Sequence, residues 1–163
     1  MKLTAIYNHI KTLLQDIEDL KLITWYNGQN ADNILHTVPA AFIEFPNTQN
    51  TQTQGGGRAQ QFELTIRINL VSKLLTLNDG SINTEIMEVH EELAMKIYEA
   101  LQQAHKELDA GGIGFNQMVR TDFELNMSQP GTAMTTQNFK CLVYQAARSS
   151  QSEVTASPNI NMQ

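Results

Sequence analysis

The chain has 163 residues, 41% of them apolar, with 17 acidic side chains against 11 Lys plus Arg and a formal net charge of −6. That length suits one domain with a real core. The acidic balance excludes a grip on nucleic acid or on anionic lipid that works mainly through clustered Lys and Arg. Cys141 is the lone cysteine, which excludes an internal disulfide and a cysteine-rich zinc site.

Taken in chain order, the first segment carries Leu3, Ile6, Tyr7, Ile10, Leu13, Leu14, Ile17 and Leu20 at spacings of three and four, one stripe of an α-helix. Asn8, Lys11, Gln15 and Glu18 occupy its other face. Amphipathic and internally charged, Met1 to Leu20 does not read as a signal peptide. No apolar run approaches the roughly 18 residues of a membrane span. A short strand, "LITWYNG", ends at a turn at Asn27-Gly28.

Val38 to Phe45 is apolar on both faces apart from Glu44, which predicts a strand covered on both sides, and Pro39 confines it to an edge or a strand start. The stretch "PNTQNTQTQGGGRAQ", Pro46 to Gln60, reads as a long polar loop. Beyond it Phe62, Leu64, Ile66, Ile68 and Leu70 alternate with Glu63, Thr65, Arg67 and Asn69, a strand with one dry face. "NDGS" closes that region as a turn.

From about Ile82 to Leu108 the period returns to 3.6, with Ile86, Val89, Leu93, Ile97, Leu101 and Ala104 on one face and Glu85, Glu88, Glu92 and Glu99 on another. Asn83 or Thr84 can cap its start, and Gly111-Gly112 stop it. "GGIGFNQ" reads as a connection. "MVRTDFELNM" and "NFKCLVYQA" are two further strands, joined by "SQPGTAMTTQ". The expected architecture is therefore α+β: a mostly antiparallel sheet of four to five strands with two main helices packed on one face. One domain covers 1–146, with residues 46–60 as a hairpin loop and 147–163 as an extended polar C-terminal tail.

Signs of catalysis are missing from the pattern. "HEELA" at His90 begins like a zinc-protease helix, but Ala94 stands where the second His must be, so His90 reads as a helix-surface residue. His9, His36 and His105 sit on separate segments with nothing to bring them together. The single G-x-G in "GGIGFNQ" follows a helix, whereas a dinucleotide loop follows a strand. Glu91-Glu92 fits a wet helix face, and Asp122 with Glu124 fits the solvent face of a strand. The expectation is no catalytic centre, no cofactor and no bound metal.

Pro46 to Gln60 is the unusual feature. Lengthening a connection costs only about 1 kcal/mol of closure entropy. Ordering such a segment costs on the order of 15–30 kcal/mol of backbone entropy, and without apolar surface it is expected to order only against a partner. The candidate contact residues are Asn47, Gln49, Asn50, Gln52 and Gln54, the glycines Gly55, Gly56 and Gly57, then Arg58 and Gln60, with Arg148 in the tail.

The order of elements over about residues 1–146, with the "PAAFIEF" strand, the long polar excursion and the paired "FELTIRINL" strand, resembles the tail-terminator and neck proteins of tailed bacteriophages. The resemblance implies a non-catalytic subunit that forms a ring, commonly of about six copies, at the head-proximal end of the tail. Such a ring ends growth of the tail tube and joins it to the connector and neck proteins under the capsid. It also implies a protein made in the bacterial cytoplasm and found in the virion, without a membrane partner. DNA would pass through the lumen unbound, and 46–60 would be the arm that reaches a neighbouring subunit or ring. Other readings of the same residues are a head-closure or adaptor ring of the same neck, and a monomeric host-directed binding module.

Overall fold

The structure is a computed structural model that describes residues 3–26, 38–46, 48–54, 59–75, 77, 79–107, 112–127 and 131–146, with the backbone alone for 48–54 and 59. Asn47, Gly55, Gly56, Gly57, Arg58 and the whole 147–163 tail with Arg148 lie outside the described residues, as does His36.

In chain order the elements are α1 (Leu3–Gln15), β1 (Leu22–Trp25), β2 (Ala40–Glu44), β3 (Thr48–Gln54), β4 (Ala59–Lys73), α2 (Thr84–Leu101), β5 (Ile113–Phe115), β6 (Val119–Asn126) and β7 (Thr132–Ala146). All strands join one 7-stranded sheet ordered β1-β2-β4-β7-β5, with β3 beside β4 and β6 beside β7. β2 and β3 follow one another along one side of β4, and β5 and β6 share the far side of β7. The sheet is thus five rows wide, and its seven strands exceed the expected four to five because β3 and β5 were not foreseen. Every pairing is antiparallel except β1 with β2.

The 15-residue strands β4 and β7 pair from Ala59↔Ala146 to Lys73↔Thr132 and form the spine of the sheet. Period-2 alternation turns Leu64, Ile66, Ile68 and Leu70 of β4 to the same face as Phe139, Cys141 and Val143 of β7. Helices cover that face: Ile6, Ile10 and Leu14 of α1 and Leu93, Ile97 and Leu101 of α2 close over it. The opposite face holds a smaller apolar cluster, Ala40, Phe42 and Val71, so β2 is dry on both sides as its composition predicts. Trp25 reaches across the helix-side edge, its ring 4.8 Å from Tyr7 and 5.1 Å from Phe45.

Asn83 caps α2, its side chain accepting from the Glu85 amide at 3.0 Å. Pro39 stands immediately before β2, where the missing N–H costs no ladder bond.

Four expectations need correction. The 46–60 loop is mostly strand, because β3 pairs with the first half of β4. "GGIGFNQ" contributes β5, which pairs with β7. β7 begins at Thr132 rather than at Asn138, so most of the expected connection is ladder. Finally, α1 stops at Gln15 and α2 at Leu101, short of Leu20 and Leu108.

Candidate functional site

Gln, Asn and Thr supply no apolar face, so the order of the 46–60 arm must come from its backbone. β3 pairs Thr48↔Leu64, Gln49↔Glu63 and Asn50↔Phe62, then, after a bulge at Thr51, Gln52↔Gln61, Thr53↔Gln60 and Gln54↔Ala59. Over the same stretch β4 is laddered on its other side to Cys141–Ala146 of β7. The arm is thus a ribbon of β3, β4 and β7 whose central strand is bonded along both edges, with β5 beyond β7 at Val143–Gln145. Level with the Gln60–Gln145 row, buried Ile113 of β5 still belongs to the core; along β4 itself the last core residue toward the tip is Phe62, at 5% exposure. The three residues 59–61 beyond it extend the ribbon by about 10 Å. Gln60 is exposed. The expectation that this segment orders only against a partner fails for 48–54, because an intrachain hydrogen-bond ladder replaces the apolar surface that the composition lacks.

Of the candidate contact residues, Gln49, Asn50, Gln52, Gln54 and Gln60 come together on this ribbon, within two adjacent strands. The ribbon offers neutral donors and acceptors and no ionic grip over 48–54.

The uncovered face of the sheet carries a band of charge that neutralises itself. Arg67 lies 3.3 Å from Glu44 and donates through Nε to Asn138 Oδ1 at 3.1 Å. Asn138 in turn donates to Asp122 Oδ2 at 3.3 Å, and Lys140 pairs with Glu63 at 2.9 Å. These side chains, with Pro46, Thr65 and Thr121, line a shallow polar depression of about 320 Å³. Asp122 and Glu124 are exposed here, as their spacing predicts. Each cation of the band already has a carboxylate, so the depression is no ready anion site.

His90 departs from expectation. Instead of lying on the wet side of α2 it is 1% exposed, wedged between helix and sheet, with Nδ1 2.8 Å from Ser72 Oγ and Nε2 2.7 Å from Thr135 Oγ1. Burial lowers its pKa from the ordinary 6.5 and keeps the ring neutral. Both ring nitrogens are engaged by hydroxyls and the group has no opening to a substrate, so the His–Ser contact works as a structural clasp. Gln137 extends this polar seam by donating to the Ala94 carbonyl at 2.8 Å, and Arg120, stacked 4.0 Å over the Tyr98 ring, donates to Gln137 Oε1 at 3.3 Å.

A second, mostly apolar depression of about 440 Å³ is lined by His105, Lys106, Glu107, Gly114, Phe115, Tyr144, Gln145 and Ala146. Beside it His9 stacks edge-on against Phe115 with ring centres 5.4 Å apart. Burial, then the nearby Lys106 charge, lowers the His9 pKa, and the His105 backbone bonds it. The fold therefore brings His9 to His105, which their positions in the chain did not signal. Cys141 is buried and its thiol is pushed up to about 12, so it stays protonated and inert. Among the described residues no group of three or more His, Cys, Asp or Glu could hold a metal ion, and no helix is long and apolar enough to cross a membrane.

No protein-family model matches the chain, and no curated protein matches it.

Proposed function

We propose that the protein is a ring-forming structural subunit of the head–tail junction of a tailed bacteriophage, ending the tail tube and joining it to the connector. The single observation that carries this reading is the arm: a ribbon laddered on both edges of its central strand, whose edge strand β3 is made of Gln, Asn and Thr alone. A stiff arm meets a neighbour without the entropy loss of a floppy loop. A neutral one tolerates the passage of DNA, whose binding depends on phosphate contacts from Lys and Arg. The acidic balance of the chain suits the same role. In this reading the subunit performs no catalysis, assembles with about six copies of itself, resides in the virion neck, and contacts the tail tube on one side and the connector on the other.

The test is the mass of the purified protein by light scattering, with negative-stain images of the same sample. We expect a discrete closed multimer and annular particles. Replacing Gln54–Arg58 by Asn-Gly should keep the unfolding free energy within about 0.5 kcal/mol, because the change removes no apolar side chain, while the multimer dissociates. A wild-type monomer at every concentration, or an arm variant that still closes rings, overturns the reading.

A further inference from the structure

We infer that β3 is a self-complementary docking edge, to which β3 of a second copy of this chain adds antiparallel about a two-fold axis. The inference goes beyond the ring reading: a two-fold contact joins like surfaces, whereas neighbours round a closed ring meet through unlike ones, so the β3 pair would join one ring, or one subunit, to a second.

An open strand edge presents unpaired N–H and C=O groups, and folded proteins protect such edges with charge, proline, bulges or covering segments. The two long edge strands of this sheet differ sharply in that respect. β6 is defended. Arg120, Asp122 and Glu124 lie along it, and this charge is what distinguishes the two edges, since both ladders carry a register shift. Its backbone is capped as well: Gln102 Oε1 accepts from the Arg120 amide at 3.0 Å, and Asp122 Oδ1 accepts from the Phe123 amide at 2.9 Å.

β3, Thr48–Gln54, has the sequence TQNTQTQ, with no charge, no proline and no glycine. Among the described residues it pairs with β4 alone. Its one irregularity is the bulge, at which Thr51 takes no register partner on β4. The extra residue of a bulge has backbone groups that the ladder does not use.

Its composition also says what can cover the edge. A strand that meets itself antiparallel sets residues equidistant from the axis opposite one another, so a charged strand would oppose like charges. Centred on Thr51, β3 sets Asn50 opposite Gln52, Gln49 opposite Thr53 and Thr48 opposite Gln54. Each of these side chains is both donor and acceptor, so each cross-pair satisfies itself in either orientation. Seven uncharged, proline-free and glycine-free residues also form the pattern that packs strand against identical strand. The closed two-fold pair limits that tendency to two copies.

The experiment compares wild type, Thr51→Lys and Thr51→Glu by light scattering at equal concentration. Pairing about Thr51 sets two like charges face to face in either variant, so each should have half the wild-type mass. An equimolar mixture of the two variants should regain the wild-type mass through mixed pairs. Thr51 has no opposite residue on β4, which spares the internal ladder, and unchanged circular dichroism and unfolding midpoint verify that. Thr51→Gln is the neutral control and should keep the full mass.

Variants that keep the wild-type mass, a mixture that fails to restore it, a wild-type monomer, or a wild-type mass that grows without limit would each overturn the pairing. The two proposals separate cleanly. An annular wild type that Thr51→Lys leaves whole sinks the strand pairing and spares the ring. A wild-type pair that Thr51→Lys splits into monomers sinks the ring and spares the pairing.

Discussion

At the scale of single residues, His90 shows how a polar side chain settles into a core. Its neighbours on α2 are buried Leu93, Ala94 and Ile97, and the sheet beneath supplies Ser72 and Thr135 from diagonal positions of β4 and β7. Satisfied on both nitrogens, the ring costs little. Left unsatisfied, the two hydroxyls would each cost about 1–3 kcal/mol. His90→Leu should therefore destabilise the fold by about 2–4 kcal/mol, and combining it with Ser72→Ala and Thr135→Val should recover at least half of that loss in urea denaturation. A loss that the triple change leaves untouched would show that the hydroxyls are not the cause. The pH dependence has a definite sign. Burial holds the folded-state pKa of His90 below 6.5, so as pH falls the unfolded chain takes up the proton first. Stability is complete above about 6.5 and declines below it toward the folded-state pKa, by at most about 1.4 kcal/mol per pH unit. His9 contributes in the same sense. The urea midpoint should thus be lower at pH 5.5 than at pH 7.5, and the difference should shrink, without vanishing, in His90→Leu.

At the scale of elements, two glycines with similar backbone angles separate strain from crowding. Gly80 and Gly112 have φ of +84° and +77°, but a Cβ at Gly80 meets nothing within 4 Å, whereas one at Gly112 falls 3.1 Å from the Ala146 carbonyl oxygen. That crowding lies at the join between β5 and the end of β7, where the Ala146 amide donates to the Gly112 carbonyl at 2.9 Å. Both alanine variants should lose about 1 kcal/mol to the left-handed backbone, and Gly112→Ala should lose measurably more. Equal losses would mean that the β7 terminus yields at no cost. Elements also show why some of this architecture was legible and some was not. The alternation from Phe62 to Leu70 and the helical stripes of Ile6–Leu14 and Leu93–Leu101 record a dry face in the local pattern. β3, β5 and the first part of β7 record none. They are strands because a partner strand bonds their backbones, the neighbouring β4 for β3 and strands distant in the chain for β5 and β7, as Gln54↔Ala59↔Ala146 shows at the arm. Composition therefore singled out Pro46 to Gln60 while hiding that most of it is strand. His90 was misread for the same reason, since Ser72 and Thr135 lie 18 and 45 residues away.

At the scale of the whole molecule, the decisive quantity is where positive charge is free to meet phosphate. A net charge of −6 alone would permit a basic patch, but three of the eight described Lys and Arg side chains are held by carboxylates. Arg67 is held by Glu44, Lys140 by Glu63, and Lys96 by Asp19 at 2.9 Å and Glu92 at 3.4 Å. A phosphate would have to displace a carboxylate at each. The exposed side of α2 adds Glu85, Glu88, Glu92 and Glu99, which repel it. Nonspecific DNA binding gains through counterion release, at a salt slope of about −0.9 per phosphate contacted. With the remaining cations spread over separate elements and outnumbered by acids, the protein should fail to retard duplex DNA in a gel even at about 50 mM salt, where such binding is strongest. Glu85→Lys, Glu88→Lys and Glu92→Lys together should create retention that disappears as salt rises, which verifies that the assay responds to charge on this scaffold. Salt-dependent retention by the wild type, with a slope of several units, would contradict a channel that lets DNA pass and would assign the molecule a nucleic-acid partner instead.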